Sequence, residues 1–206
     1  IADCACKNNQ VYDEWIVRDQ GAMVKQIGYS PKEFAHMIIE KEGGKEKAKE
    51  VFNYKSNMDS KYKFLKPKAG EIGDIYSNIL TNIFNTDYDF RDYARASNIF
   101  WPGNKLGHGR EDVKKFWNSL KAPFSKIKFS VEHIGWTKEN DRNEKVSIRW
   151  FFEGLHTNKT IDYENETNSK IFIMGINHAE FIENNIVREW VLFDEVAIWK
   201  QILMQK

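Results

Sequence analysis

The stretch that most restricts the fold is residues 170–201, KIFIMGINHAEFIENNIVREWVLFDEVAIWKQ. An apolar run, a polar turn at Glu183-Asn184-Asn185, a second run of β-branched and aromatic residues, and a segment opening at Asp194 spell a β-hairpin followed by a short helix. Strand side chains alternate between faces and cross-strand partners share a face, so the turn decides which residues meet. With either Glu183-Asn184 or Asn184-Asn185 as the central pair, His178, Glu180, Val187, Glu189, Val191 and Phe193 are predicted on one face, together with Ile176. Ile173, Asn177, Ala179, Phe181, Arg188, Trp190, Leu192 and Asp194 are predicted on the other.

The same pattern opens the chain. Laid without a gap, residues 1–28 match residues 176–203 at nine of 28 positions, where chance gives about one or two. Glu14-Trp15 answers Glu189-Trp190, Asp19 answers Asp194, Ala22 answers Ala197, and Lys25-Gln26-Ile27 answers Lys200-Gln201-Ile202. Two copies of one supersecondary unit are therefore expected. On this reading the chain is a fragment or trimmed product in which residues 1–41 are the tail of a first, incomplete domain, 42–73 a linker, and 74–206 a complete second domain. A lone two-stranded hairpin is marginal in water. The first hairpin is thus expected to lie on the second domain or to pair with another chain.

The balance of 31 basic against 30 acidic residues supplies no net pull toward nucleic acid or an anionic membrane, and neither is expected as a partner. Seven Trp, 14 Phe and eight Tyr are enough to fill a real core. The two cysteines, Cys4 and Cys6, sit one residue apart, a spacing that rarely meets disulfide geometry. Reduced thiols and a cytoplasmic setting follow as expectations. No phosphate-cradling glycine loop, clustered metal ligands or nucleophile elbow is legible, so no cofactor and no metal are expected.

Between the repeats, Asp19 to Ile27 predicts a short helix ended by Gly28. Ser30-Pro31-Lys32-Glu33 combines a capping-box spacing with Pro at the first helical position, opening a helix to about Lys41 with Phe34, Met37, Ile38 and Ile39 buried. Residues 42–73 read as connector, most plainly at Lys66-Pro67-Lys68-Ala69-Gly70, with a helical stretch at 45–51. A helix capped by Asp74, a short helix over 87–93 and a strand over 96–101 are predicted next. A helix over 111–121 with Val113, Phe116, Trp117 and Leu120 on one stripe follows. Strands over 128–138, 145–156, 170–182 and 186–193 complete the series, with a long loop at 157–169. Helices first and a meander of long strands after them suit an α+β domain in which a curved antiparallel sheet wraps helices.

These residues resemble a known family. Gly107/Gly109 with Val113-x-x-Phe116-Trp117, the Glu153-Gly154-Leu155-His156-Thr157 segment, and Gly175-Ile176 through Ile186-Val187-Arg188-Glu189-Trp190 to Phe193-Asp194-Glu195 are similar to SnoaL-like polyketide cyclase-type domains. These belong to the nuclear transport factor 2-like superfamily, and the likeness covers Asp74 to about Leu203. It implies a cone: a bent sheet around helices, enclosing a mostly apolar cavity for a small organic ligand. The whole chain resembles a tandem member, and dimerisation through the sheet face or pairing with a preceding domain is implied.

Enzymes of this group place a carboxylate or His in the apolar cone to move a proton beside a carbonyl, which requires a base whose pKa is tuned by burial. On the predicted face His178 would be acid or base and Glu189 its orienting carboxylate. His156 stands at the mouth of the long loop, and Trp101, Trp136, Trp150, Phe152, Ile176 and Val191 would contact ligand. The rival reading makes His178, Glu180 and Glu189 a polar stripe on an outer face and the domain a non-catalytic binding or dimerising module. Cyclases of the family carry an acid directly after the Trp, where this chain has Val191. The first copy has Asp3 and Glu14 at the matching positions, so the pairing is absent there.

Overall fold

The computed structural model describes residues 1–52, 70–140, 142–158 and 167–205. In chain order its elements are β1 Ala2–Lys7, β2 Gln10–Ile16, α1 Gln20–Gln26, α2 Pro31–Lys41, α3 Lys45–Val51, α4 Gly70–Asn85, β3 Tyr93–Trp101, β4 Lys105–His108, α5 Gly109–Lys121, β5 Phe124–Thr137, β6 Glu144–His156, β7 Lys170–Ile182, β8 Asn185–Phe193 and α6 Glu195–Met204. Strands β1 and β2 form a separate hairpin. The other six make one sheet in the order β4-β3-β8-β7-β6-β5, antiparallel except where β3 runs beside β8. The fold is α+β, with α4 and α5 held inside the curve of this sheet.

The inner face is dry because the sequence puts large rings at alternate positions. Val146, Ile148, Trp150 and Phe152 project inward from β6, and each is at most 1% exposed. Phe84 of α4 stacks on Phe129 with centroids 4.3 Å apart and meets Trp117 and Phe152 at 5.6 and 5.5 Å. On α5 the predicted stripe of Val113, Phe116, Trp117 and Leu120 is buried as the spacing requires. Offset and edge-on ring pairs of this kind add to the area they bury.

A smaller cluster joins Val24, Ala35, Ile39 and Ala48 of α1–α3 to Val196, Leu203 and Met204 of α6. The N-terminal helices therefore pack on the closing helix, clamped by Lys200–Glu42 at 2.6 Å and Lys25–Glu195 at 3.3 Å. The first hairpin lies on the outer face of β5 and β6, as expected for a unit that cannot bury itself. Asp3 pairs with His133 at 2.9 Å and Arg149 at 3.0 Å. Trp15 meets Phe151 edge-on at 5.9 Å, and the Arg149 guanidinium sits 4.4 Å above the Trp15 ring.

Several expectations shift. The capping box at Ser30 and Glu33 is present, but α2 buries Ala35 and Ile39 and leaves Met37 exposed, because α6 rather than the sheet is its neighbour. Asp74 lies inside α4, not at its cap. Residues 87–93 are not a helix: Phe90 takes a left-handed backbone (φ 59°) and Tyr93 opens β3. Strand β4 was not foreseen, since Lys105-Leu106-Gly107-His108 carries no apolar alternation. It pairs with β3 across Pro102-Gly103-Asn104. The linker-like residues 66–69 and the loop positions 159–166 lie outside the described residues.

Candidate functional site

The chemistry inside the cone gathers on Glu189, and a single extra residue puts it there. Ile182 pairs with Asn185 and Phe181 with Ile186, so Glu183-Asn184 is the two-residue turn. The ladder then slips at Glu180/Phe181, leaving Val187 unpaired, and resumes as Glu180–Arg188, Ala179–Glu189, His178–Trp190 and Asn177–Val191. A bulge of this kind turns every later side chain of one strand over relative to its partner. Glu189 therefore shares the inner face with Asn177, Ala179, Phe181 and Val191, while His178 shares the outer face with Trp190, Arg188 and Glu180.

The predicted His178–Glu189 pair is thus not formed. Glu189 is fully buried, and His178 is exposed on the opposite side of the sheet. Ile176 and Val191, also placed together by the sequence pattern, are separated in the same way: Val191 points inward and Ile176 outward under the first hairpin. Although His178 is exposed, partial desolvation of its ring and the nearby Ile1 ammonium push the imidazole below its usual range. Glu180 pairs with Arg188 at 3.2 Å on that outer face.

Around Glu189 the inner face supplies what the sequence pattern missed. The Tyr76 hydroxyl of α4 donates to Oε1 at 2.5 Å, and the Tyr93 hydroxyl of β3 donates to Oε2 at 2.9 Å. Asn177 Nδ2 donates to Oε1 at 3.2 Å and to the Tyr76 oxygen at 3.1 Å. Trp150 Nε1 in turn donates to Asn177 Oδ1 at 2.8 Å, fixing which way the amide faces. Gly175 makes room for this: a Cβ there would stand 2.0 Å from the Trp150 ring. Trp117 Nε1 is buried beside this cluster, facing Glu189 and Tyr93.

Burial raises the Glu189 carboxyl from its ordinary range to about 7, against the hydrogen bonds from Tyr76, Tyr93 and Asn177, which favour the charged form. Burial, and then the Glu189 charge, push the Tyr76 and Tyr93 hydroxyls well above their usual value, so both remain donors. The arrangement is a carboxyl that can hold or release a proton near neutrality between two fixed phenolic donors. Asn177 was legible as a lone polar residue alternating with Gly175, Ala179 and Phe181. Tyr76 and Tyr93 carried no such mark, one being on an apolar helix stripe and the other at a strand start.

The remaining predicted ligand contacts disperse. Trp150 and Phe152 are core rings of the inner face. Trp101 stacks on Phe116 at 4.8 Å and lines a cavity of about 250 Å³ bordered by Lys25, Pro31 and Trp199. Trp136 is 43% exposed and borders a groove of about 640 Å³ with His178 and Trp190. His156 is fully buried, its Nδ1 3.1 Å from Thr167 Oγ1, rather than at an open mouth. Inside the curve of the sheet, Phe84 packs against Phe129, Trp117 and Phe152. Glu189 lines neither the Trp101 cavity nor the Trp136 groove.

The profile of the SnoaL-like polyketide cyclase family matches residues 83–202. A search of curated proteins gives no match. Among solved structures, the chain is similar to the SnoaL-like polyketide-cyclase-type protein of Jannaschia sp. CCS1, at 13% identity and TM-score 0.53 over 66% of this chain and 96% of that one. It is similar to its counterpart from Shewanella putrefaciens CN-32 at 13% identity and TM-score 0.54 over 66% and 88%. It is also similar to IdmH, a polyketide-cyclase-type protein of Streptomyces antibioticus, at 19% identity and TM-score 0.52 over 64% and 98%. At these identities the likeness is one of fold.

Proposed function

Because the chain belongs to the SnoaL-like polyketide cyclase family, we propose that its cone takes a small, largely apolar carbonyl compound and that Glu189 moves a proton on it. The observation that carries this reading is the buried Glu189 carboxyl, held by Tyr76, Tyr93 and Asn177 and raised to about 7. As carboxylate, Glu189 takes a proton from the carbon beside the carbonyl. The electron pair moves onto the carbonyl oxygen, and as Glu189 is neutralised a phenolic hydroxyl of Tyr76 or Tyr93 turns from it to donate to that oxygen. Return of the proton to a second carbon completes an isomerisation. In an aldol-type closure the enolate carbon instead bonds to a second carbonyl carbon of the same molecule, and the proton goes to that carbonyl's oxygen. His178 has no part in this, because the sheet stands between it and Glu189.

A second reading, a non-catalytic binding module, is favoured by one fact: Glu189 is fully buried, with both carboxyl oxygens already accepting from Tyr76, Tyr93 and Asn177. Solvent-deuterium exchange into a panel of enolisable cyclic ketones, followed by NMR, separates the two. The catalytic reading expects exchange by the wild type that rises with pH through about 7, and a loss of roughly 10²–10⁴-fold in Glu189→Gln. Exchange that is unchanged in Glu189→Gln, or absent from the wild type, sinks it and leaves the binding module.

Two finer points belong to the same proposal. The unpaired, exposed Cys4 and Cys6 suit a reducing cytoplasm. The part of the outer face left open by the first hairpin, where Trp190 stacks on Phe100 at 5.5 Å, is where a second copy would dimerise. Sedimentation equilibrium of Trp190→Glu reads that directly, and an unshifted mass against wild type removes the sheet-face dimer.

A further inference from the structure

The hairpin β1–β2 repeats β7–β8 in geometry as well as in sequence. Asp3–Trp15, Cys4–Glu14 and Ala5–Asp13 pair as His178–Trp190, Ala179–Glu189 and Glu180–Arg188 do. Both ladders then slip at the same place, leaving Tyr12 and Val187 as equivalent bulge residues, and both resume through Cys6–Val11 and Phe181–Ile186 to a two-residue turn. Asp19 Oδ1 accepts from Ala22 N at 2.8 Å, and Asp194 Oδ1 from Ala197 N at 3.2 Å, so the following helices are capped alike.

The two hairpins differ in what covers them. Ala179, Phe181, Ile186, Glu189 and Val191 line the cone and are at most 3% exposed. Their equivalents Cys4, Cys6, Val11, Glu14 and Ile16 all face solvent, with Val11 at 57% and Ile16 at 43%. That face is mostly apolar with one carboxylate, the composition of a cone lining, and it is held outward because the opposite face, Asp3 and Trp15, is committed to β5–β6. A bulge that re-aims one strand has no use on a hairpin whose lining face meets only water.

We infer that this face is the docking surface for the body of a second SnoaL-like cone, carried ahead of Ile1 on a longer form of the same polypeptide. In the cone described here, the body from Gly70 to the start of β7 takes 100 residues (170 − 70). A body of similar length would supply the helices and strands that Cys4, Cys6 and Glu14 lack. Continuity supports one polypeptide: the body precedes the hairpin in the second unit, and the two units already touch through Lys25–Glu195 and through Asp19 beside Asp194. The inference does not depend on the chemistry proposed for Glu189.

The test is intact mass and N-terminal sequence of the protein isolated from its own source, combined with maleimide labelling of that protein and of the 206-residue chain. A native polypeptide extending roughly 100 residues or more ahead of Ile1, with Cys4 and Cys6 labelled at least about tenfold more slowly than in the 206-residue chain, is the expected result. A native chain starting at or near Ile1 overturns the proposal. So does a longer one whose thiols react just as fast. Labelling of the 206-residue chain that slows with its own concentration means a second copy covers the face, and likewise overturns it.

Discussion

Two hairpins of this chain share register, bulge and capped helix, and they put the same residue, a glutamate, at the same site. Glu189 is sealed among two tyrosines and an asparagine with its carboxyl raised to about 7, while Glu14 faces water with the Cys4 thiol 3.5 Å away. The local backbone is therefore not what makes the glutamate chemically interesting. The difference is supplied by α4 and β3, which bring Tyr76 and Tyr93 to one hairpin and to nothing on the other. A carboxyl raised toward neutrality in this fold is a property of the packed cone rather than of the strand that carries it.

The comparison breaks most easily by truncating equivalent side chains. Phe181→Ala removes a ring packed edge-on against Tyr76 at 5.7 Å and should cost about 3–5 kcal/mol in chemical denaturation. Cys6→Ala, its equivalent, should stay within about 0.5 kcal/mol. Similar losses would mean that the first hairpin's lining face is covered after all.

Next in size is the pH dependence of stability. Burial holds the Glu189 carboxyl above its unfolded value, so the folded state binds this proton more tightly than the unfolded one. The stabilisation is full below the ordinary value of 4.5 and is lost as pH rises through about 7. The size is roughly 3 kcal/mol across that window. Glu189→Gln should flatten the profile of midpoint against pH, and Glu14→Gln should leave it unaltered. An unchanged slope in Glu189→Gln would show that the carboxyl is not raised.

Asp3→Ala sharpens the other side of the comparison. Burial pushes the Asp3 carboxyl up, but His133 and Arg149 outweigh it and hold it below the ordinary range. Its stabilising effect is therefore present above that range and lost as pH falls through it. Removing Asp3 from the largely buried Arg149 guanidinium should cost roughly 2–3 kcal/mol and free the first hairpin. Faster amide exchange in residues 2–16 checks this, and unaltered protection there would show that the ion pairs do not hold the hairpin. The smallest expected effect is Gly175→Ala, about 1–3 kcal/mol, because the new methyl meets the Trp150 ring. It should also loosen the Asn177 amide, seen as a shift of its side-chain NH₂ resonances, and a variant as stable as wild type would mean that Trp150 has room to move.

Much of the fold was legible. Residues 109–121 showed their buried stripe in the spacing of Val113, Phe116, Trp117 and Leu120, and the long strands β5–β8 showed theirs in alternation, because both signals are local. The repeat between residues 1–28 and 176–203 foretold two hairpins of one kind. The site was less legible. Parity counting from the turn placed His178 with Glu189, and the bulge at Val187 reversed it, since no residue type in Ile186-Val187-Arg188 marks an unpaired position.

The amino-acid order by itself determined the elements, the repeated unit and the family likeness, since periodicity, caps and turns are written within a few residues of where they act. Only tertiary structure decided that Glu189 faces inward and His178 outward, that His156 is buried, and that Tyr76 and Tyr93 close on Glu189. Each of those outcomes depends on a strand slip or on side chains from helices and strands about a hundred residues away, such as Tyr76 and Tyr93 meeting Glu189. Contacts of that range have no local period for a sequence pattern to carry.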